Sequence, residues 1–174
     1  MPARKPATRA TTIPQAAKSA GDATLIGIYT SPSAGAPMEQ QGSVILVAGL
    51  GIVGDRYALG TGQWSDPRWH DQELTLFESE VAEAIGIQPY QARRNLVTRG
   101  LSLNGIVGVR FRIGEAIITG VRPCDPCRYI QQLNAHPGLT KALTGFDGGL
   151  RCHIETGGKI SLHDPIQLLG LVEA

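Results

Sequence analysis

Thr119-Gly-Val-Arg-Pro-Cys-Asp-Pro-Cys-Arg-Tyr-Ile130 carries two cysteines from a β-branched, strand-like run onto the start of a helix-like one. Its position in the chain decides between folds. A thioredoxin fold sets its C-x-x-C pair after the first strands and continues with further alternating elements, whereas here about two thirds of a strand-rich chain precedes Cys124. The pair therefore belongs to another architecture. Pro126 fixes the backbone ahead of Cys127 and biases Asp125 away from helix, so the second sulfur is presented from a rigid bend. With Arg122 and Arg128 close by and a helix starting at Cys127, the pattern points to a reactive or metal-ligating thiolate. Structural zinc would need Cys124, Cys127, Cys152 and a histidine, but Cys152 and His153 are adjacent and no second C-x-x-C exists. Inert burial suits Cys152 better than a proline-flanked pair.

Working outward, Phe111-Arg-Ile113 and Ala116-Ile-Ile-Thr-Gly-Val121 flank Gly114-Glu115 as a hairpin whose second strand leads into the cysteines. Arg128 to Leu133 has helical spacing at Tyr129, Ile130 and Leu133 and stops at His136-Pro-Gly, and Leu139 to Leu143 adds another turn. Leu150-Arg-Cys-His-Ile-Glu155 reads as a strand, Thr156-Gly-Gly158 as a hairpin turn, and Lys159 to Leu169 as strand, with Pro165 marking an edge or a break.

Upstream, Thr24 to Tyr29 and Ser43 to Ala48 read as strands with Gly/Pro loops between them. The second flows into Gly49-Leu-Gly-Ile-Val-Gly-Asp55, a formal G-x-G-x-x-G. A dinucleotide site needs a helix beginning in that loop to hold the pyrophosphate. The residues that follow carry two further glycines and Pro67, which excludes a long helix, so Arg56 is read as an anion ligand or the partner of a nearby carboxylate. His70 falls in a polar loop. Glu73-Leu-Thr-Leu-Phe77 is a strand, and Ser79 caps a helix with Val81, Ala82, Ala84 and Ile85 as its stripe and Gly86 as its stop. Gln91-Ala-Arg-Arg-Asn-Leu-Val-Thr-Arg99 fits two readings equally: a phosphate cradle of bidentate guanidiniums, or a solvated charged edge strand.

The composition limits the function classes. A chain of 174 residues buries a core without disulfide or metal staples. Its 22 glycines exceed the usual share of roughly 7% and, with few aromatics, favour a turn-rich β architecture. Sixteen basic against fifteen acidic residues leave +1, which provides no field for nucleic acid or an acidic membrane. Three cysteines and no membrane-length apolar run lead us to expect a cytoplasmic protein. Residues 1–22, rich in Ala, Thr, Pro and basic side chains, read as a disordered tail, and residues 23–174 as one domain.

Taken together, the ordered motifs resemble a MOSC domain, the family named for the C-terminal domain of molybdenum cofactor sulfurases. They are Gly51-Ile-Val-Gly-Asp-Arg56, Arg93-Arg-Asn-Leu-Val97, Gly108 through Glu115, Arg122-Pro-Cys-Asp-Pro-Cys127 and Gly158-Lys-Ile-Ser-Leu-His-Asp-Pro165. The resemblance implies a mainly β fold with peripheral helices, a compact MOSC-type β-barrel, and a pterin-based molybdenum cofactor or a sulfur-carrier role centred on one cysteine. In the family's reductases of N-hydroxylated substrates that cysteine ligates molybdenum, and its position falls on Cys127. Cofactor-holding positions fall on Arg56, Arg93 and Asn95, with Asp125 beside the cysteines; Cys124 is left as a resolving thiol. The implied partners are a small-molecule substrate and either an external electron donor or a cysteine desulfurase, since the pyridoxal-phosphate chemistry associated with the family has no lysine context here. The competing expectation is a non-catalytic module that binds and delivers the cofactor.

Overall fold

The structure, a computed structural model, describes residues 22–68, 71–144 and 147–173. Residues 1–21 of the tail expected over 1–22, and His70, lie outside the described residues. Eleven strands appear among those described: β1 (Thr24–Thr30), β2 (Glu39–Gln40), β3 (Ser43–Val47), β4 (Gly51–Ile52), β5 (Leu74–Glu78), β6 (Leu96–Arg99), β7 (Val109–Ile113), β8 (Ala116–Pro123), β9 (Leu150–Thr156), β10 (Gly158–Ser161) and β11 (Ile166–Leu171). Short helices punctuate them: α1 (Arg56–Leu59), α2 (Ser79–Ile85), α3 (Arg128–Leu133) and α4 (Leu139–Ala142).

Eight strands form one sheet in the order β11-β7-β8-β9-β5-β6-β1-β2, and β10-β3-β4 form a second. The large sheet curls until its ends meet. Leu25 N–H donates to Asp164 O at 3.0 Å, His163 N–H to Leu25 O at 2.7 Å, and Ile166 N–H to Ala23 O at 2.8 Å, so the start of β11 is sewn to β1. The expected mainly β, barrel-like fold is what the chain adopts.

Period-two alternation explains which side chains fill the barrel. Leu74 and Leu76 of β5, Phe111 of β7, Ile118 of β8 and Leu150, Cys152 and Ile154 of β9 point inward to a core almost wholly sealed from solvent. Thr75 and Phe77 of β5 point the other way. Phe77 there anchors a second cluster with Ala82 of α2, Ile130 of α3, and Leu139 and Leu143 at α4, so helices cover the outer face of this part of the barrel. Cutting either buried phenylalanine, Phe77 or Phe111, to alanine would destabilise by about 3–5 kcal/mol. The outer face of β5 and β9, roofed on one side by α3, is where the site forms.

Several local expectations change. The turn at Thr156–Gly158 does not fold β10 back on β9; β10 pairs antiparallel with β3, Lys159 opposite Ile45. Gly157 makes the change of sheet feasible, because a Cβ there would lie 2.4 Å from Leu46 O. The segment from Gln91 to Arg99 is not an edge: β6 runs between β5 and β1, parallel to the former and antiparallel to the latter. Ser79 does not cap α2. Glu78 occupies the N-cap position with no side-chain cap bond, and Ser79 Oγ turns to Glu80 at 3.2 Å. After the glycine loop, α1 runs only four residues before Gly60 closes it in the left-handed region (φ 71°), too short for a dinucleotide-binding helix.

Candidate functional site

Cys124 and Cys127 line one cleft with Arg56, Arg93, Arg94 and Arg151, about 580 Å³ of empty space counting its open mouth. Each arrives by a different route. Pairing of β8 with β9 ends at Pro123 opposite Leu150, and Cys124 N–H then donates to Gly149 O at 2.8 Å. Cys124 is thereby fixed and buried. Gly148 is obligatory beside it, since a Cβ there would meet Cys124 O at 2.1 Å. From Cys124 to Cys127 the backbone makes no turn. Cys127 itself is extended as the N-cap of α3 (φ −123°, ψ 166°), and its carbonyl accepts from Thr140 Oγ1 at 3.0 Å. It remains partly exposed, whereas Cys152 is sealed inside the barrel, where burial above all, then Cys124 and Glu73, push its thiol well above the ordinary range. At six residues α3 is too short to form an anion site of its own. The guanidiniums of Arg56, Arg93, Arg94 and Arg151 line the same cleft as Cys127.

Arg93 closes a 3-10 turn (Pro89–Ala92) in the left-handed region at φ 55°, rare for a non-glycine residue. Two bonds hold it there. Arg56 Nη2 donates to Arg93 O at 3.0 Å, and Arg93 Nη1 donates to Ala36 O at 2.9 Å. Arg93 Nη2 is buried without an acceptor among the described residues. Burial, then the charge of Arg56, lower the affinity of the Arg93 guanidinium for its proton. Arg56 is only 4% exposed at its side chain and is committed: Nη1 pairs with Asp55 Oδ1 at 3.0 Å, and its guanidinium lies 4.6 Å from the Tyr57 ring centroid. Asp55 in turn accepts from Ser31 N–H at 3.0 Å and caps α1 through Tyr57 N–H at 3.3 Å. Arg56 is the bracket that aims Arg93.

The remaining candidates separate. Asn95 is fully buried and does not line the cleft; its Oδ1 accepts from Thr75 N–H and Oγ1, and its Nδ2 donates to Tyr29 O at 3.2 Å. It supports the cleft floor from beneath through Thr75, which does line it. Asp125 sits at the cleft edge with an 82% exposed side chain, 3.9 Å from Arg122.

Two further arginines line the cleft: Arg94, one of the guanidiniums of the expected phosphate cradle, and Arg151, which the sequence did not single out. Arg94 Nε donates to Gly148 O at 2.8 Å. Arg151, opposite Thr75 in the β5–β9 register, has Nε and Nη1 buried without hydrogen-bond acceptors among the described residues. Alternation along Leu150-Arg-Cys-His-Ile154 turns Arg151 away from the core. That signal was available, but nothing local told that this outer face would be enclosed. Among the described residues no three of His, Cys, Asp and Glu gather as a metal-binding group, and no helix is long and apolar enough to cross a membrane.

Comparison with known proteins bears on the whole arrangement. The sequence profile of the MOSC domain matches residues 69–167, more than half of the chain, a span that includes both cysteines, Arg93, Arg94 and Arg151 but not Arg56. No curated protein matches the chain. Among solved structures, the YuaD protein from Bacillus subtilis superposes with a TM-score of 0.66 at 18% identity, covering 84% of this chain and 94% of that one. YiiM from Escherichia coli gives 0.61 at 22% identity over 87% of this chain and 72% of that one, and YiiM from Geobacillus stearothermophilus 0.65 at 16% over 84% and 75%. These likenesses are of fold.

Proposed function

The chain belongs to the MOSC domain family, and from that premise we propose that Cys127 either ligates a pterin-based molybdenum cofactor or carries sulfane sulfur as a persulfide. One observation carries the reading. A partly exposed thiol shares its cleft with buried guanidinium nitrogens of Arg93 and Arg151 that find no hydrogen-bond acceptor among the described residues. A buried, unpartnered cationic donor is costly, and an entering anion removes the cost.

The donor set fits such a cofactor. A thiolate is a soft ligand suited to a thiophilic metal, and guanidinium forks suit the anionic groups of a phosphorylated pterin. When bound, the metal centre would supply two-electron reduction of an N–O bond, with electrons from an external donor. The chain's own contribution is positional and electrostatic. Pro126 and the Thr140 bond to its carbonyl hold Cys127 at the mouth. Arg93 and Arg151 offset negative charge, and Arg94 ties the Gly148 loop under Cys124. In the sulfur-carrying version a separate desulfurase loads Cys127, and the same positive wall favours its anionic persulfide.

Molybdenum and cyanide-releasable sulfur, measured on protein isolated from molybdenum-replete cells, test the reading. Finding neither would remove it.

A further inference from the structure

We propose that Arg151 is the receptor for a tetrahedral dianion in this cleft, and that Arg122, from outside the cleft, keeps it open by occupying Asp71. The inference deepens the anion-binding part of the function proposed above and rests on the same cleft.

In the β8–β9 register Arg122 lies opposite Arg151, and both project from the outer face of the barrel toward Asp71. A register shift between Gly120 and Arg122 re-aims the chain at this point. Asp71 therefore meets two guanidiniums, and they share it unequally. Arg122 takes both carboxylate oxygens: Nε pairs with Oδ2 and Nη2 donates to Oδ1 at 3.3 Å. Arg151 Nη1 stops 3.8 Å from Oδ1, beyond hydrogen-bond range. The more exposed guanidinium is thus satisfied, while the one only 12% exposed keeps Nε and Nη1 buried without acceptors.

That arrangement states what Arg151 is for. A guanidinium edge with free nitrogens matches two oxygens of a phosphate, and Arg93 and Arg94, which also line the cleft, supply charge for a dianion rather than a single carboxylate. Without Arg122, Asp71 would be released to close on Arg151 and neutralise it. Arg122 is accordingly a positioning residue, acting through Asp71. The phosphate could belong to an organic ester or be inorganic; both present the same oxygens.

Calorimetric titration of the purified full chain with inorganic phosphate and with methyl phosphate tests this. R151Q is expected to weaken binding by about tenfold or more, the scale of a charge-assisted bidentate contact. R122Q is expected to weaken it comparably, and D71N to tighten it. The deciding variant is the double substitution. In the D71N background, R122Q should have no further effect, because no carboxylate remains to be released.

An R122Q loss of equal size in both backgrounds would overturn the gate and leave only additive charge. Unchanged binding in R151Q, or in R151K should R151Q fail to fold, would overturn the receptor. Equal affinity for both probes supports recognition of the bare phosphate group; binding of methyl phosphate alone supports an ester as its source; binding of neither overturns the proposal. The titration needs no molybdenum, so a metal-free, sulfur-free protein that still binds phosphate through Arg151 would remove the function proposed above and leave this inference standing.

Discussion

Asn95 faces Thr75, with its Oδ1 accepting both the backbone N–H (3.3 Å) and the hydroxyl (3.2 Å) of that residue. The resemblance put Asn95 among the residues that hold a cofactor. In the fold its side chain ties β5 to the loop entering β6 and, through Tyr29 O, to β1. Asn95→Ala would leave Thr75 N–H and Tyr29 O in a buried place without their partner. We expect a loss of roughly 2 kcal/mol or more in chemical denaturation. Arg93→Ala, by contrast, should weaken anion and cofactor retention with a smaller loss of stability, because its Nη2 has no internal acceptor among the described residues and only the Nη1 bond to Ala36 O is given up.

Cysteine labelling should follow exposure. Cys127 is partly exposed, Cys124 is buried at the cleft, and Cys152 is sealed in the core. Iodoacetamide on native protein is expected to modify Cys127 first, and Cys152 only after unfolding. Early labelling of Cys152, read by peptide mass, would contradict the barrel interior described for β9.

Gly148 sets the height of the cysteine loop. A Cβ there would meet Cys124 O at 2.1 Å, and that atom is backbone with no room to yield. Gly148→Ala should displace Cys124, break the Arg94 bond to Gly148 O, and reduce anion binding even where the protein still melts cooperatively. Calorimetry with phosphate beside a thermal melt separates the two effects.

Glu78 predicts a pH dependence. Burial raises its carboxyl above the ordinary value and Glu80 adds to this, while the Leu103 N–H bond at 2.7 Å opposes it. The folded state therefore keeps the proton to a higher pH than the unfolded chain does. The associated stability is fully present below the unfolded carboxyl pKa of about 4.3 and is lost as pH rises through the folded value. Glu78→Gln, which can still accept from Leu103, should gain on wild type as pH rises toward neutrality. Parallel urea midpoints across that range check the sign.

The strands were legible because alternation and turn residues are local. Leu74-Thr-Leu-Phe77 and Leu150 to Ile154 announce one buried and one outward face without reference to anything distant. The Cys127 position at a strand-to-helix junction was legible for the same reason. Non-local pairing was not. Nothing in Thr156-Gly-Gly158 says that the next strand joins Ile45 rather than returning to β9, and nothing in the run around Asn95 says that this amide is claimed by Thr75 twenty residues away. Arg151 was overlooked because an arginine on an outward strand face reads as solvated until α3 and the start of α1 at Arg56 enclose it. Only the assembled cleft distinguishes Arg56, hydrogen-bonded to Asp55 at 3.0 Å, from Arg151, whose carboxylate neighbour, Asp71, stays 3.8 Å away and is hydrogen-bonded to Arg122.

The most direct test of the account is the content of molybdenum and cyanide-releasable sulfur in wild-type and Cys127→Ser protein, both isolated from molybdenum-replete cells and both confirmed folded by thermal melt. The account predicts molybdenum, labile sulfur or both in the wild type, lost in Cys127→Ser and retained in Cys152→Ser. Equal content in wild type and Cys127→Ser, or none in either, would contradict it.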